Sequence, residues 1–327
     1  MRGHGPAIQS ALESSAHTAL SDADAALLGL LQEIAAEGYR FTTPAPTTHR
    51  RVRLRRGRVE ATGLEDVFGW NLPFRTEALP PRVRALMGAA GILRERGRLA
   101  TSALSIASVG DQLFLHSALP WRDQAHVFFG PDSYRFTDFL HAELPALRLG
   151  AAILDIGAGA GVGGIFAAAK TMGTRLTLTD VNPGALRLAR INAAFAGLLP
   201  EIIKCDGPPA ADRTFDVIVA NPPYIAGSGR TYSDGGGAMG GELTLAWAVS
   251  ALEKLAPGGR LLLYSGSAIV HGEDRLRDRL GEIAAQAGAG FRYRELDPDV
   301  FPATLLSPRY WRVERIAAVG AVMVKRS

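Results

Sequence analysis

From residue 130 onward, short apolar runs that stop at Gly or Asp alternate with longer segments of helical period. The runs fall at 151–155, 175–180, 201–204, 215–220 and 259–265, and helices are expected near 137–148, 161–170, 183–196, 242–255 and 273–287. A strand that reads as an unbroken apolar run is buried on both faces, and a parallel sheet covered by helices provides that burial. Right-handed crossovers then give a doubly wound, Rossmann-like α/β sheet. Two last strand candidates, 291–296 and 315–325, have no helix between them and are expected to pair as an antiparallel edge.

The chain before residue 121 reads differently. Residues 1–20 are small and polar and are expected to be poorly ordered; 21–120 read as a small α+β domain and 121–327 as the sheet domain. A chain of 327 residues suits one large domain with a smaller companion. In the small domain a helix starts near Ser21 or Asp22, and a Pro/Thr-rich break covers 42–48. Basic and apolar residues alternate over 51–55, which predicts a strand with Val52 and Leu54 inward. A helix is expected over 80–96, and strand material over 104–115 around a turn at Gly110-Asp111.

Charge is concentrated in the same region. The stretch from Arg50 to Arg58 holds six arginines and no acid, more than the whole formal net charge of +4. It could contact nucleic-acid phosphates or an acidic protein face, or be a solvated strand face. Cys205 is the only cysteine and the seven histidines are scattered, so neither an internal disulfide nor a metal site is expected. No run reaches the ~18–20 apolar residues of a membrane helix, and Met1 to Gly5 open no secretory signal. The expectation is a cytoplasmic protein with no membrane partner.

Chemistry-bearing residues sit at the carboxyl ends of the predicted strands. Asp155 closes the first strand, and Gly157, Gly159 and Gly161 follow in a loop that leads into a helix. Glycines let backbone turn sharply and approach a ligand closely. A plain turn or a nicotinamide site would show the same glycines. An acid directly before them suits a ligand with a positive amine better than a pyrophosphate. Asp180 ends the next strand, where a carboxylate can accept from ribose hydroxyls; its plain alternative is a helix N-cap for the segment from Pro183. Asp206 follows the third strand and can accept from an adenine amino group.

The fourth strand runs into Asn221-Pro222-Pro223-Tyr224. Prolines fix φ, lack N–H donors and leave carbonyls free. The Asn221 side-chain carbonyl and the Pro222 backbone carbonyl can together hold the two hydrogens of an NH2 group, and Tyr224 offers a π face to a flat acceptor.

Asp155-Ile156-Gly157-Ala158-Gly159, Asp180 and Asp206 resemble motifs I to III of class I S-adenosylmethionine-dependent methyltransferases, over residues 130–327. The resemblance implies S-adenosylmethionine as cofactor, bound by Asp155, the loop glycines, Asp180, Val181, Asp206 and Asn221. Asn221-Pro222-Pro223-Tyr224 resembles the acceptor motif of enzymes that methylate planar nitrogens, and with Ile225 and the 179–193 segment it reads most like the glutamine-amide methyltransferases of release factors and ribosomal proteins. A protein glutamine is therefore the favoured acceptor; a nucleic-acid base or a small-molecule amine is the alternative. Pro131 and Thr137 are similar to a segment that covers the cofactor in that group, whose small helical N-terminal bundle has no counterpart in this reading. Tyr134 and Phe136 could pack on the cofactor or in the core. The segment 227–241 is a candidate lid, and Arg309, Tyr310 and Trp311 lie in an insertion that could contact the substrate.

Overall fold

The structure, a computed structural model, describes residues 20–56, 59–121, 125–210, 212–226, 235 and 240–326. Ser21 caps α1 (Asp22–Ala36) through its Oγ, which accepts the Asp24 N–H at 3.2 Å. Leu27, Leu30, Leu31 and Ile34 then fall on the buried face at helical spacing. Next come α2 (Pro46–Arg56), α3 (Pro81–Ala89) and two antiparallel hairpins. These are β1 (Leu93–Arg96) with β2 (Leu99–Ser102), and β3 (Leu104–Val109) with β4 (Gln112–Ser117).

The expected basic strand is a helix. Leu54, expected inward, is 72% exposed, and His49 is the only buried residue of α2. His49 packs against Trp70 with the rings tilted and reaches the Gly69 carbonyl at 3.3 Å, while Arg56 lies over the Trp70 ring and pairs with Asp66. The helix is thus anchored by polar and aromatic contacts, and a five-residue alternation of Arg with Val and Leu carried no information about its period. Arg58 lies outside the described residues. The helix expected over 80–96 stops at Ala89, because the chain turns at Gly91 (φ +68°) into β1.

The second part opens with α4 (Pro131–Glu143), which starts six residues earlier than expected. Pro131 occupies its first turn, and Pro145 forbids helical backbone at Leu144, which is extended. Then follow β5 (Ala152–Ile156), α5 (Val162–Ala168), β6 (Arg175–Asp180), α6 (Pro183–Phe195), β7 (Glu201–Lys204), β8 (Phe215–Ala220), α7 (Glu242–Lys254), β9 (Leu255–Ile269), α8 (Arg275–Gln286), β10 (Gly290–Asp297) and β11 (Arg315–Val324).

One seven-stranded sheet results, in the order β10-β11-β9-β8-β5-β6-β7. Strands β9, β8, β5, β6 and β7 are parallel, and β11 inserts antiparallel between β9 and β10. The doubly wound α/β sheet and its antiparallel edge were both legible in the apolar runs. Alternate residues feed two cores. Ile153, Val217, Val219 and Leu262 face the side of α4, α5 and α6, whereas Leu154, Ile156, Ile218 and Leu263 face α7 and α8. The first core runs on without a break into Leu27, Leu30, Phe68 and Phe114 of the amino-terminal part. No helix among the described residues is long and apolar enough to cross a membrane.

A buried asparagine joins the two parts. The Asn192 side chain on α6 accepts the Leu115 N–H at 2.8 Å and donates to the carbonyls of Leu115 (3.1 Å) and Ala160 (2.9 Å). It therefore bonds β4 to the loop after β5. Asn192→Ala would leave these buried backbone groups unpaired and is expected to lower stability by about 3 kcal/mol. Urea denaturation measures this, and an unchanged midpoint would show that the contact contributes nothing.

Candidate functional site

The chain turns back across the sheet between β5 and β8, and an open α/β sheet forms its crevice at such a switch point. Register decides what meets there. Ile156 pairs with Thr179 of β6 on one side and with Ala220 of β8 on the other. Gly157, Asp180 and Asn221 are the next residues of three adjacent strands and leave the sheet at the same level, with neighbouring strands roughly 4.8 Å apart.

The glycine loop is tied to β6 twice. Ala158 N–H donates to the Thr179 carbonyl at 2.8 Å, and Gly159 N–H donates to Asp180 Oδ2 at 2.9 Å. The other Asp180 oxygen accepts the Asn182 N–H at 2.8 Å, so this buried carboxylate holds the glycine loop and the turn after β6 in one piece. Val181 beside it is 43% exposed, an apolar face left open next to a carboxylate. Beneath the loop lies Trp247 of α7. A Cβ on Gly157 (φ +65°) would come within 2.4 Å of the indole, and one on Gly207 within 3.8 Å, so the loops after β5 and β7 rest on one side chain. Sequence reasoning missed Trp247, although the apolar face of α7 had to turn inward. Asp206 is exposed in the loop after β7, near Gly207, whose carbonyl accepts from the Thr179 hydroxyl at 3.0 Å.

Asp155, expected to face a ligand amine, is buried, and its Oδ2 accepts the Gly164 N–H at 2.7 Å. It ties the end of β5 to the first turn of α5. Burial pushes its carboxyl up to about 7; the Gly164 bond opposes the shift and the nearby Asp180 charge adds to it.

At the acceptor motif, Asn221 and Pro223 are half-buried, while Pro222 and Tyr224 are buried. The Asn221 amide has no hydrogen-bond partner among the described residues. The expectation of an open π face at Tyr224 is corrected. Its ring is enclosed by Tyr264, Phe301 and Gly266, and its hydroxyl donates to Asp132 Oδ2 on α4. Tyr264 of β9 donates to the other Asp132 oxygen at 3.0 Å, and Arg135 reaches both Asp132 (3.2 Å) and Asp297 (2.9 Å). Burial raises the Asp132 carboxyl, and the two tyrosines and Arg135 draw it back; burial and the Asp132 charge raise both phenols, so each stays a neutral donor.

The 297–311 insertion closes over the motif. Tyr310 is buried, and its hydroxyl accepts the Ala226 N–H at 2.7 Å, while Trp311 is 74% exposed. The expected lid, 227–241, lies outside the described residues except for Gly235, Gly240 and Gly241. Gly235 N–H donates to the Ile225 carbonyl at 2.9 Å. Phe136 packs on Gly163 and Tyr264, and the Tyr134 hydroxyl accepts the Thr43 N–H at 2.8 Å, so both aromatics serve the core.

The family model of the methyltransferase small domain matches residues 125–291. The chain is 36% identical over 159 residues to ribosomal RNA small subunit methyltransferase C of Pseudomonas aeruginosa (strain UCBPP-PA14), a match that covers 48% of this chain and 45% of that protein. It is 32% identical over 122 residues to release factor glutamine methyltransferase of Deinococcus radiodurans, covering 34% of this chain and 44% of that one. The chain thus spans under half the length of these relatives. Among solved structures, a methyltransferase from Pyrococcus furiosus matches 62% of this chain and 89% of its own at 20% identity, with a TM-score of 0.42.

The Asp155 carboxyl makes a pH prediction. The native group keeps its proton up to about 7, whereas the unfolded one loses it near the ordinary carboxylate value of 3.8. Between those points the native state binds the extra proton, so stability falls as the pH rises through the window. Asp155→Asn keeps an acceptor for Gly164 and removes the buried charge. Its stability relative to the parent is expected to be near zero at about pH 4 and to grow to a few kcal/mol by about pH 8. Denaturation at both values checks this, and a constant difference would contradict it.

Proposed function

The chain belongs to the methyltransferase small domain family, and on that basis we propose that it moves a methyl group from S-adenosylmethionine to a planar nitrogen held at Asn221. The observation that carries this reading is the register that brings Gly157, Asp180 and Asn221 side by side.

The residues present fit the cofactor. The glycine loop offers backbone without side chains to the methionine part. Each Asp180 oxygen accepts a backbone N–H, and the carboxylate ends β6 at the level where ribose hydroxyls would reach it. Val181 offers its exposed face to the adenine, and Asp206 stands one strand further along for the adenine amino group. Asp155 braces the loop from behind through α5. When bound, S-adenosylmethionine supplies a methyl group on a positively charged sulfur.

The protein's part is positioning. The Asn221 side-chain carbonyl and the Pro222 carbonyl accept the two N–H bonds of the acceptor, which turns its lone pair toward the glycine loop. Accepting those hydrogens also raises electron density on the nitrogen and takes up the positive charge that develops there. Tyr224 contributes by fixing the loop against Asp132, not by stacking.

Two carriers of such a nitrogen fit the motif: a glutamine side chain of a protein and the exocyclic amine of a nucleic-acid base. Both appear among the names of the relatives. The arginines of α2 favour the base. The test is transfer of labelled methyl groups into cell extract, with nuclease or protease added afterwards. Asn221→Ala is expected to reduce incorporation by roughly 100-fold or more. Undiminished labelling by this variant would overturn the acceptor assignment.

A further inference from the structure

The amino-terminal part carries a groove and a cleft that the methyl-transfer site does not use. The groove encloses about 860 Å3, and its floor is apolar, formed by Leu54, Leu72, Pro73, Leu99, Pro120 and Trp121. Arg50 and Arg53, one helical turn apart on α2, line its rim. The cleft opens from the same Arg53, Leu119, Pro120 and Trp121 and is polar, lined also by Asn71, Arg94, Thr101 and Ser102. It encloses about 130 Å3, room for about four waters or one flat heterocycle.

Asn71 gives the cleft a reading group. It is 3% exposed, and its Oδ1 accepts from the Leu119 N–H at 3.2 Å and from the Ser105 hydroxyl at 2.9 Å. A backbone N–H can only donate, so the amide orientation is fixed. Its NH2 group is then left buried without a hydrogen-bond partner. An orphaned donor of this kind costs roughly 1–3 kcal/mol; the nitrogen is closed to solvent, so an acceptor atom in the cleft recovers that cost once the side chains packed over the amide give way.

Charge and backbone chemistry identify the occupant. Arg50, Arg51 and Arg55 are exposed and have no ion-pair partner among the described residues, and neither do Arg94, Arg96 and Arg98 of the β1–β2 hairpin. Of the acids close by, Asp66 holds Arg56 and Glu60 holds Arg75, and Glu95, between Arg94 and Arg96, leaves the hairpin with a net positive charge. A polyanion therefore fits the rim. The floor does not suit an extended peptide. Pro73 and Pro120 have no N–H, and the Pro73 carbonyl already accepts from Ala61, the Leu119 carbonyl from Arg53, and the Leu72 N–H donates to Asp66. A peptide laid there would bury its own backbone groups unpaired. Nucleobases need only apolar and aromatic surface beneath their faces.

The geometry points to a single-stranded RNA segment in this groove, with one unpaired base in the cleft accepting from the Asn71 amide and the phosphates along Arg50, Arg53 and Arg94. Splayed, unpaired bases are the ordinary presentation of RNA loops, whereas DNA offers them only after strand separation. The groove also leads to the proposed chemistry. The His126 ring stacks on Trp121 at 4.0 Å, and the neighbouring Ala125 carbonyl accepts from the Asn182 side chain at 2.7 Å, in the turn that Asp180 holds. RNA bound here borders the cofactor side of the sheet. That this RNA carries the methyl acceptor rests on the methyltransferase reading; the binding itself does not.

Fluorescence anisotropy of the full chain with a short unstructured labelled RNA tests the inference. Saturable binding is expected, with log Kobs falling against log salt at a slope of about −2 for three phosphates. Arg50→Glu with Arg94→Glu, at two exposed positions, is expected to weaken binding by roughly tenfold or more and flatten that slope. Trp121→Ala is expected to weaken it roughly tenfold without changing the slope. Asn221→Ala should bind RNA as the parent does while losing methyl transfer, so failure of the chemistry and failure of the groove give different patterns. The inference is overturned if the parent chain shows no saturable binding, or if either groove variant binds like the parent. It is also overturned if duplex DNA of the same sequence binds as tightly, or if a polyglutamate peptide displaces the RNA at equal charge.

Discussion

The buried carboxylate of Asp180 is the contact on which the site depends. It ends β6, accepts one N–H from the glycine loop and another from the turn that starts α6. Without it, among the described residues, the loop after β5 would keep the Ala158–Thr179 backbone bond to β6 and the Asn192 bond to Ala160 from α6. Because β5 lies in register between β6 and β8, fixing this loop also fixes what it presents to Asn221. Trp247 supports the arrangement from the other face of the sheet, and Asp155 supports it through α5.

The acceptor loop is held by a second, separate set of bonds. Tyr224 and Tyr264 share the Asp132 carboxylate, Arg135 links Asp132 to Asp297, and Tyr310 bonds the Ala226 backbone. Three distant segments, α4, β9 and the 297–311 insertion, therefore converge on the residues after Asn221. Buried polar networks that are fully satisfied specify one arrangement of the chain. Here they place the tyrosine of the motif among the supports, and Asn221 and the Pro222 carbonyl are the groups proposed to hold the acceptor.

What could be read from the sequence was what is local. Bounds of β6, β7 and β8 agree with the apolar runs to the residue, since each run ends at a polar residue or a proline-rich turn. Asn221 and Asp180 were legible because their place follows from the strand they end. The role of Tyr224 was not, because its partner Asp132 is 92 residues away and was not expected to start a helix. Pro131 in the first turn was the available signal. In α2 the failure had another cause: a helix anchored by His49 and its arginines has no apolar stripe, and Arg-Val-Arg-Leu-Arg imitates a strand. The unpartnered amide of Asn71 left no trace in the sequence, as it arises from how β3 and the 119–121 segment meet.

The central claim is that three aligned strand ends bind S-adenosylmethionine, and not the nicotinamide dinucleotide that a glycine loop alone would also allow. Calorimetric titration of the chain with S-adenosylhomocysteine and, separately, with NAD tests it most directly. The account predicts one saturable site for S-adenosylhomocysteine, lost in Asp180→Ala, and no heat of binding from NAD. Binding of NAD without S-adenosylhomocysteine would contradict it.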